Sequence, residues 1–136
     1  TREDTLNYFK TSIGIDYTFP FRVYGMLEFF YDQSGAVNPS DYEWQKLVTG
    51  ERQTLAEEYL YLNLSLTHNP FYRPAISSII NFIDRGFILI PQFSYLMSDN
   101  VDLSYGVNLF FGPEYSEFKN ITPYNGQCYI WLKIYF

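Results

Sequence analysis

The sequence is poor in the residues that most often carry out chemistry. Its single cysteine, Cys128, excludes a disulfide within the chain and a cysteine-based metal site. Its single histidine, His68, stands beside Asn69 and Pro70 in a turn signal, and nucleophilic catalysis needs a positioned partner. We therefore expect that the protein is not an enzyme, and we predict no catalytic residue, no metal site and no cofactor.

Positive charge and long apolar runs are also scarce. The chain carries 9 Lys and Arg against 15 Asp and Glu, a net charge of -6, so nucleic acid is excluded as a partner. The longest apolar run, residues 86–90, stops at Pro91 and is far shorter than the roughly 20 residues of a transmembrane helix. If the chain crosses a membrane, strands closed into a barrel must do so. Residues 1–4 are polar and lack the apolar core of a signal peptide.

Aromatic residues are what the chain has in abundance. They make up 21% of it, with 14 Tyr and 13 Phe, yet the mean hydropathy is -0.17. Membrane barrels combine strands that are apolar on one face with aromatic girdles at both interfaces. By strand parity, Tyr17, Phe19 and Phe136 would form one girdle, and Tyr31, Phe87 and Phe111 the other.

Alternation with a period of two predicts an all-β chain. The clearest segment places Leu60, Leu62, Leu64 and Leu66 on one face. The predicted strands are residues 8–19, 22–32, 58–67, 74–83, 87–97, 101–111 and 127–136.

Three local signals add detail to these strands. Ser40 and Glu43 have the spacing of a capping box and predict a short helix over residues 41–48. Pro91 removes a ladder donor and predicts a bulge or irregular pairing. Residues 84–86 predict a tight turn in which Gly86 can take a positive φ.

The lengths of the connections predict an antiparallel up-and-down transmembrane β-barrel. Long loops at about 33–56 and 112–126 follow the second and sixth strands, whereas the connections after the first, third and fifth are short; only the short turn after the fourth strand breaks this alternation. Outer-membrane barrels have short periplasmic turns, long outer loops and an even strand count. We expect a periplasmic C-terminus, Thr1 on the outer side, and further strands before it. Residues 1–136 would then be the C-terminal segment of one larger barrel domain.

The last strand resembles the C-terminal signature of outer-membrane barrels. The matching positions are Ile130, Leu132, Ile134 and Phe136. The resemblance implies that the barrel-assembly machinery reads this strand. Residues 14–20 (GIDYTFP), 103–112 (LSYGVNLFFG) and 116–118 (SEF) are similar to porin-like barrels of the large monomeric type. This resemblance implies location in the bacterial outer membrane, in contact with lipid and lipopolysaccharide, and names no solute.

The polar strand faces are the candidate functional site. If the apolar faces meet lipid, the polar side chains line a lumen, and the expected function is passive diffusion of small solutes. The loop at 33–56 would fold inward as a constriction. The candidate pore-lining residues are Arg22, Glu28, Asn63, Ser65, Asn81, Gln92, Ser94, Asp102, Asn108 and Lys133.

Other interpretations stay open at this stage. The polar residues could form a structural hydrogen-bond network. The chain could be a small structural or adhesive barrel, filled by Ile79, Ile83, Ile88 and Ile90, or a soluble lipocalin-like ligand-binding barrel. The acids at the margin of the first long loop are a surface cluster or a weak Ca²⁺ contact linked to lipopolysaccharide; they are Asp41, Glu43, Glu51, Glu57 and Glu58. Five aromatics with inward parity could narrow a pore or contact an apolar or sugar-like solute; they are Tyr24, Phe30, Phe110, Tyr129 and Trp131.

Overall fold

The protein, in a computed structural model, is described over residues 8–136, which form one antiparallel sheet of seven strands. Each strand pairs with the next along the chain, so the all-β class and the up-and-down order are confirmed. The predicted position of Thr1 lies outside the described residues. The strands are β1 (Lys10–Thr18), β2 (Val23–Asp32), β3 (Glu58–Leu66), β4 (Tyr72–Asn81), β5 (Phe87–Ser98), β6 (Val101–Phe111) and β7 (Gly126–Ile134).

Tertiary contacts change three local predictions. The helix over 41–48 is wrong in its first half, because a 3₁₀ turn covers Pro39–Asp41 and α1 begins only at Trp44, ending at Val48. Extended Tyr42 separates the two, and neither Asn38 nor Glu43 makes a side-chain cap.

The irregular pairing predicted at Pro91 is confirmed, since Ile90 and Pro91 have no partner on β6, but there is no bulge there. Leu89 pairs with Leu109 and Gln92 with Gly106, so the register is the same on both sides of Pro91. The shift lies between Leu96 and Ser98. In the turn at 84–86 it is Arg85, not Gly86, that has a positive φ, of 61°.

The two faces of the sheet differ sharply in polarity. The register places Leu27 beside Leu62, and Ile15 beside Leu27, on one face, which is apolar across all seven strands. Within residues 8–136 no element packs over the middle of this apolar face, and Ile130 on β7 is 79% exposed. The opposite, polar face carries Glu28 on β2 and Asn63 on β3.

The connections segregate to opposite ends of the sheet. Residues 19–22, 67–71 and 99–100 join strands at one end, and residues 33–57, 82–86 and 112–125 join them at the other. The second group includes α1 and α2 (Glu117–Asn120). The end of β7 lies at the short-connection end, where Ile134 pairs with Val101.

The packed core lies under the long loops and on the polar face. Leu55 and Ala56 of the first long loop and Phe118 of α2 are buried against Tyr59 and Phe110. Half-buried Phe30, Ile79 and Ile88 pack on this cluster from the polar face. The first long loop therefore packs on the polar face at this end of the sheet, and its role as a constriction stays a prediction.

The sheet is open at both sides. The described residues pair β1 only with β2 and β7 only with β6. No helix among these residues is long and apolar enough to cross a membrane.

Candidate functional site

Eight of the ten candidate pore-lining residues lie together on the open part of the polar face. Register pairs link them across strands, Asn63 being next to Ser77 and Ser94 next to Ser104. The eight are Glu28, Asn63, Ser65, Gln92, Ser94, Asp102, Asn108 and Lys133. Of the other two, Arg22 lies in the short turn before β2 with a φ of 55°, and Asn81 ends β4.

Neighbouring side chains on this open part satisfy one another. Asn63 Nδ2 donates to Ser77 Oγ at 2.7 Å, and the hydroxyls of Ser94 and Ser104 are 2.9 Å apart. Ser12 donates to Glu28. Cross-strand pairs of this kind stabilise the sheet and keep this face polar.

Charged groups of both signs also lie on the face, and two of them form an ion pair. Arg73 Nη2 contacts Asp102 Oδ2 at 2.5 Å, which joins β4 to β6 across β5. Lys133 Nζ lies 5.4 Å from the centre of the Trp131 ring, within range of a cation–π contact. The open part of the polar face is thus a mixed surface rather than a field of one sign.

Asn81 is placed differently from the other candidates, because the loops cover it completely. It is 0% exposed, and its Nδ2 lies 2.9 Å from Tyr42 Oη and 2.9 Å from Glu117 Oε2. Its Oδ1 accepts from the backbone N–H of Ile83 at 2.9 Å. Asn81 therefore connects both long loops to the end of β4 and does not face an open lumen.

Asp84 continues the same network from the short loop at 82–86. Its Oδ2 accepts from Tyr42 Oη at 2.8 Å and from the N–H of Glu117 at 2.7 Å, and its Oδ1 accepts from the N–H of Gly86 at 2.7 Å. A Cβ on Gly86 would lie 2.9 Å from Ser116 Cβ. The glycine is thus needed for close approach of the second long loop, not for its φ.

Tyr59 completes the network on the side of the first long loop. Its hydroxyl donates to Glu117 Oε2 at 2.6 Å and accepts from the N–H groups of Leu55 and Ala56 at 3.1 and 2.9 Å. We call Tyr42, Tyr59, Asn81, Asp84 and Glu117 the loop network. It satisfies buried polar groups of three loops at once, as burial requires.

Burial sets the ionisation behaviour of this network. Burial raises the pKa of Glu117, and the nearby Asp84 carboxylate raises it further, against hydrogen bonds from Tyr59 and Asn81 that lower it. Burial also raises the pKa of the Tyr42 hydroxyl, which stays protonated and donates to Asp84. Glu117 is the member of the network poised to take up a proton.

A second set of contacts fastens the base of the first long loop. Asp32 is buried, accepts from Ser34 N and Oγ at 2.9 and 2.6 Å, and pairs with Lys10 at 2.9 Å. Arg52 donates to Ser34 and pairs with Glu43 at 2.8 Å. Glu43 also contacts the ammonium of Lys46, which holds its pKa below the usual range.

Sequence reasoning found one member of the loop network, Asn81, and missed four. Tyr59 shares strand parity with the polar residues Asn63 and Ser65, which was the available signal. Tyr42, Asp84 and Glu117 lie in loops, where alternation carries no information. Among these three, only Asp84 has a local sequence signal: its Asp-x-Gly spacing to Gly86 is typical of a turn in which the aspartate side chain accepts from the backbone.

The predicted assembly-signal residues divide between strand and tail. Ile130, Leu132 and Ile134 lie on the apolar face of β7, whereas Phe136 follows the last strand residue. Cys128 is exposed on the same face. These side chains stand beside the free edge of the sheet.

Two of the acidic residues at the loop margin, Glu43 and Glu57, contact cationic or hydroxyl side chains. Glu57 Oε1 accepts from Tyr31 Oη at 2.6 Å, and Glu43 is paired with Lys46 and Arg52. Within residues 8–136 no three His, Cys, Asp or Glu side chains are grouped to hold a metal ion. No protein-family model matches the chain, and neither a curated protein nor a solved structure gives a match.

Proposed function

We propose that this chain forms part of a closed outer-membrane β-barrel whose polar face lines a channel for passive diffusion of small solutes. One observation carries the proposal: the apolar face is uncovered, while the long loops pack on the polar face. In lipid an uncovered apolar face has no cost, and a lumen tolerates the polar face.

The distribution of buried residues supports this proposal over a soluble lipocalin-like barrel. Such a barrel would bury the leucine stripe of β3 inside. Here Leu64 is 49% exposed, and the buried apolar residues of the described chain sit under the loops on the other face. A lipocalin-like closure would also leave both long loops on the outer wall.

A closed barrel would have to pair the two edge strands, since in the described residues β1 pairs only with β2 and β7 only with β6. Open edges expose unpaired backbone groups and are not tolerated in lipid. The proposed barrel therefore includes partners for β1 and β7. On this proposal the apolar face contacts lipid and lipopolysaccharide, and the assembly machinery contacts β7 through Ile130, Leu132, Ile134 and Phe136.

A second candidate is a structural or adhesive barrel without a channel. The buried cluster under the loops favours it, because Ile79, Ile88 and Phe110 fill the polar face at the long-loop end. This cluster covers only that end, whereas further along Gln92 is exposed and Asn63 and Ser94 are partly exposed. The channel is therefore the leading proposal.

Conductance after reconstitution tests the proposal. Protein extracted from its membrane should migrate with a heat-dependent shift on a semi-native detergent gel and should conduct ions in planar bilayers. Deleting residues 38–49 removes α1 and Tyr42 but keeps both ends of the loop, residues 33–37 and 50–57. This deletion should raise the single-channel conductance. Val48→Ser, which changes a side chain that is 85% exposed, is the matched control and should conduct like wild type. A heat shift without conductance would favour the structural barrel, and recovery of the protein only in the soluble fraction would refute both.

A further inference from the structure

The polar face holds an aromatic and hydroxyl surface well away from the loop network. Two register rows cross it, Gln92–Gly106–Tyr129 and Ser94–Ser104–Trp131, on β5, β6 and β7. An open cleft of about 580 Å³ lies along these rows, a size typical of small-molecule sites. We call it the β5–β7 cleft.

Gly106 shapes the floor of this cleft. A Cβ there would lie 2.4 Å from Tyr129 Oη and 2.6 Å from Cζ, so the Tyr129 ring extends across β6 over the glycine. Its hydroxyl reaches Gln92 Oε1 at 3.4 Å on the far strand. The ring thus lies against the sheet and leaves its other face open.

Trp131 provides a second ring beside the first. It is 62% exposed, and Lys133 contacts it at 5.4 Å from the ring centre. Tyr129 and Trp131 are two residues apart on β7, so their rings lie side by side in adjacent rows. The negative face of an aromatic ring is a surface on which another group can stack.

Neutral hydrogen-bonding groups border the rings. The hydroxyls of Ser94 and Ser104 share one hydrogen bond at 2.9 Å and retain further donor and acceptor capacity, and Gln92 carries two amide N–H donors. The charges beside the cleft are Lys133, whose ammonium lies 5.4 Å from the centre of the Trp131 ring, and Arg73, which is paired with Asp102 at 2.5 Å. The two rows themselves contain only neutral side chains on β5, β6 and β7, which fits a neutral ligand better than an anionic one.

We infer that the β5–β7 cleft binds a neutral oligosaccharide. A sugar ring offers C–H groups that fit the negative face of an aromatic ring, and hydroxyls that fit the amide and serine groups at its margin. The inference deepens the proposed function, because it names the class of solute that the polar face would pass. The cleft can nevertheless be measured without a channel.

The experiment follows Trp131 emission in detergent-solubilised protein carrying Trp44→Phe, which leaves Trp131 as the reporter, during titration with maltotetraose. A saturable change in emission is expected. The Gly106→Ala variant must displace the Tyr129 ring from its position over β6, and it should weaken the apparent affinity about tenfold. Tyr24→Ala, which removes an aromatic ring from the same face outside the cleft, is the matched control and should leave the affinity unchanged.

Each outcome separates the inference from the proposed function. No saturable change, or equal affinity in the Gly106→Ala protein, overturns the saccharide site even if the protein conducts ions. Binding of tetragalacturonate in preference to maltotetraose overturns the neutral class. Saturable maltotetraose binding without ion conductance supports the site and refutes the channel. Heat-dependent migration of each variant shows that it is folded, and Ser104→Ala gives a second, milder variant that should also weaken binding.

Discussion

Removing Asn81 should release the long loops while leaving the sheet intact. In the folded chain the Asn81 amide is fully buried, with Nδ2 beside Tyr42 Oη and Glu117 Oε2 and Oδ1 beside the N–H of Ile83. Alanine cannot replace any of these contacts. The groups that lose these contacts lie in three different loops, so the substitution should weaken the packing of the loops against one another.

The size of the effect follows from the bonds lost. A net hydrogen bond between neutral groups contributes about 1 kcal/mol and one to a charged group about 1.5–3 kcal/mol. Counting one bond of each kind across the loop contacts, Asn81→Ala should cost about 3 kcal/mol of loop attachment. That corresponds to a rise on the order of 100-fold in the fraction of molecules with an open loop.

Limited digestion with trypsin measures that fraction. Lys46 and Arg52 lie in the first long loop, and the Arg52 side chain is only 12% exposed while it is paired with Glu43. When opening and closing are fast relative to cleavage, the cleavage rate follows the open population. Asn81→Ala should therefore accelerate cleavage at Arg52 on the order of 100-fold.

Asn63→Ala is the matched control, because Asn63 lies on the same face and makes one bond, to Ser77, at 2.7 Å. It should leave loop cleavage near the wild-type rate. Similar rates for the two variants, with both still heat-modifiable, would refute the assignment of Asn81 as the attachment point of the loops.

Two further substitutions test the loop attachment from other directions. The pKa of Glu117 is raised when the loops are packed on the sheet, so loop attachment is strongest below the ordinary pKa of 4.5 and weakens as the pH rises through the raised pKa. Hydrogen exchange at Leu55 and Ala56, corrected for intrinsic rates, should show this weakening. The Glu117→Gln variant should abolish the pH dependence. Unchanged pH dependence in that variant would assign the effect to another group. Gly35→Ala should break the bridge between Ala36 and Ala56, since its Cβ would lie 2.3 Å from the Ala56 carbonyl oxygen, and trypsin should then cleave the loop faster. Gly50→Ala is its control, strained at a φ of 78° but free of contacts, and should cost only about 1 kcal/mol; equal cleavage rates would contradict the clash.

Alternation predicted the sheet well because strand faces are set by neighbouring residues. Val101–Phe111 was predicted without error, and β3 ends one residue from its predicted limit. The prediction failed where a distant contact decides the local structure. Tyr42 breaks the helix predicted from Ser40 and Glu43, because its hydroxyl is held by Asp84, which lies 42 residues away. β4 ends at Asn81 rather than at 83 because the Asn81 side chain accepts the next free N–H groups.

The candidate site was predictable as a face but not as a set of roles. Parity placed Gln92, Ser94 and Lys133 correctly on the polar face, yet it gave Asn81 the same role as these three. What separates them is whether a loop folds over them, and loop packing depends on several segments meeting at once. Gly106 shows the same limit, since its importance comes from the ring of Tyr129, its partner on the neighbouring strand, which is 23 residues away in sequence.

The loop network and the β5–β7 cleft share one face but depend on different strands. The network is buried and joins the end of β4 to three loops, whereas the cleft is open to solvent and its aromatic rings come from β7. Releasing the loop should therefore change how fast a solute reaches the cleft and not how tightly the cleft holds it. Asn81→Ala combined with Trp44→Phe separates the two: the association rate of maltotetraose should rise and its equilibrium affinity should stay within the error of the measurement. A large change in affinity would mean that loop residues themselves contact the saccharide, and the constriction and the binding surface would then be one site.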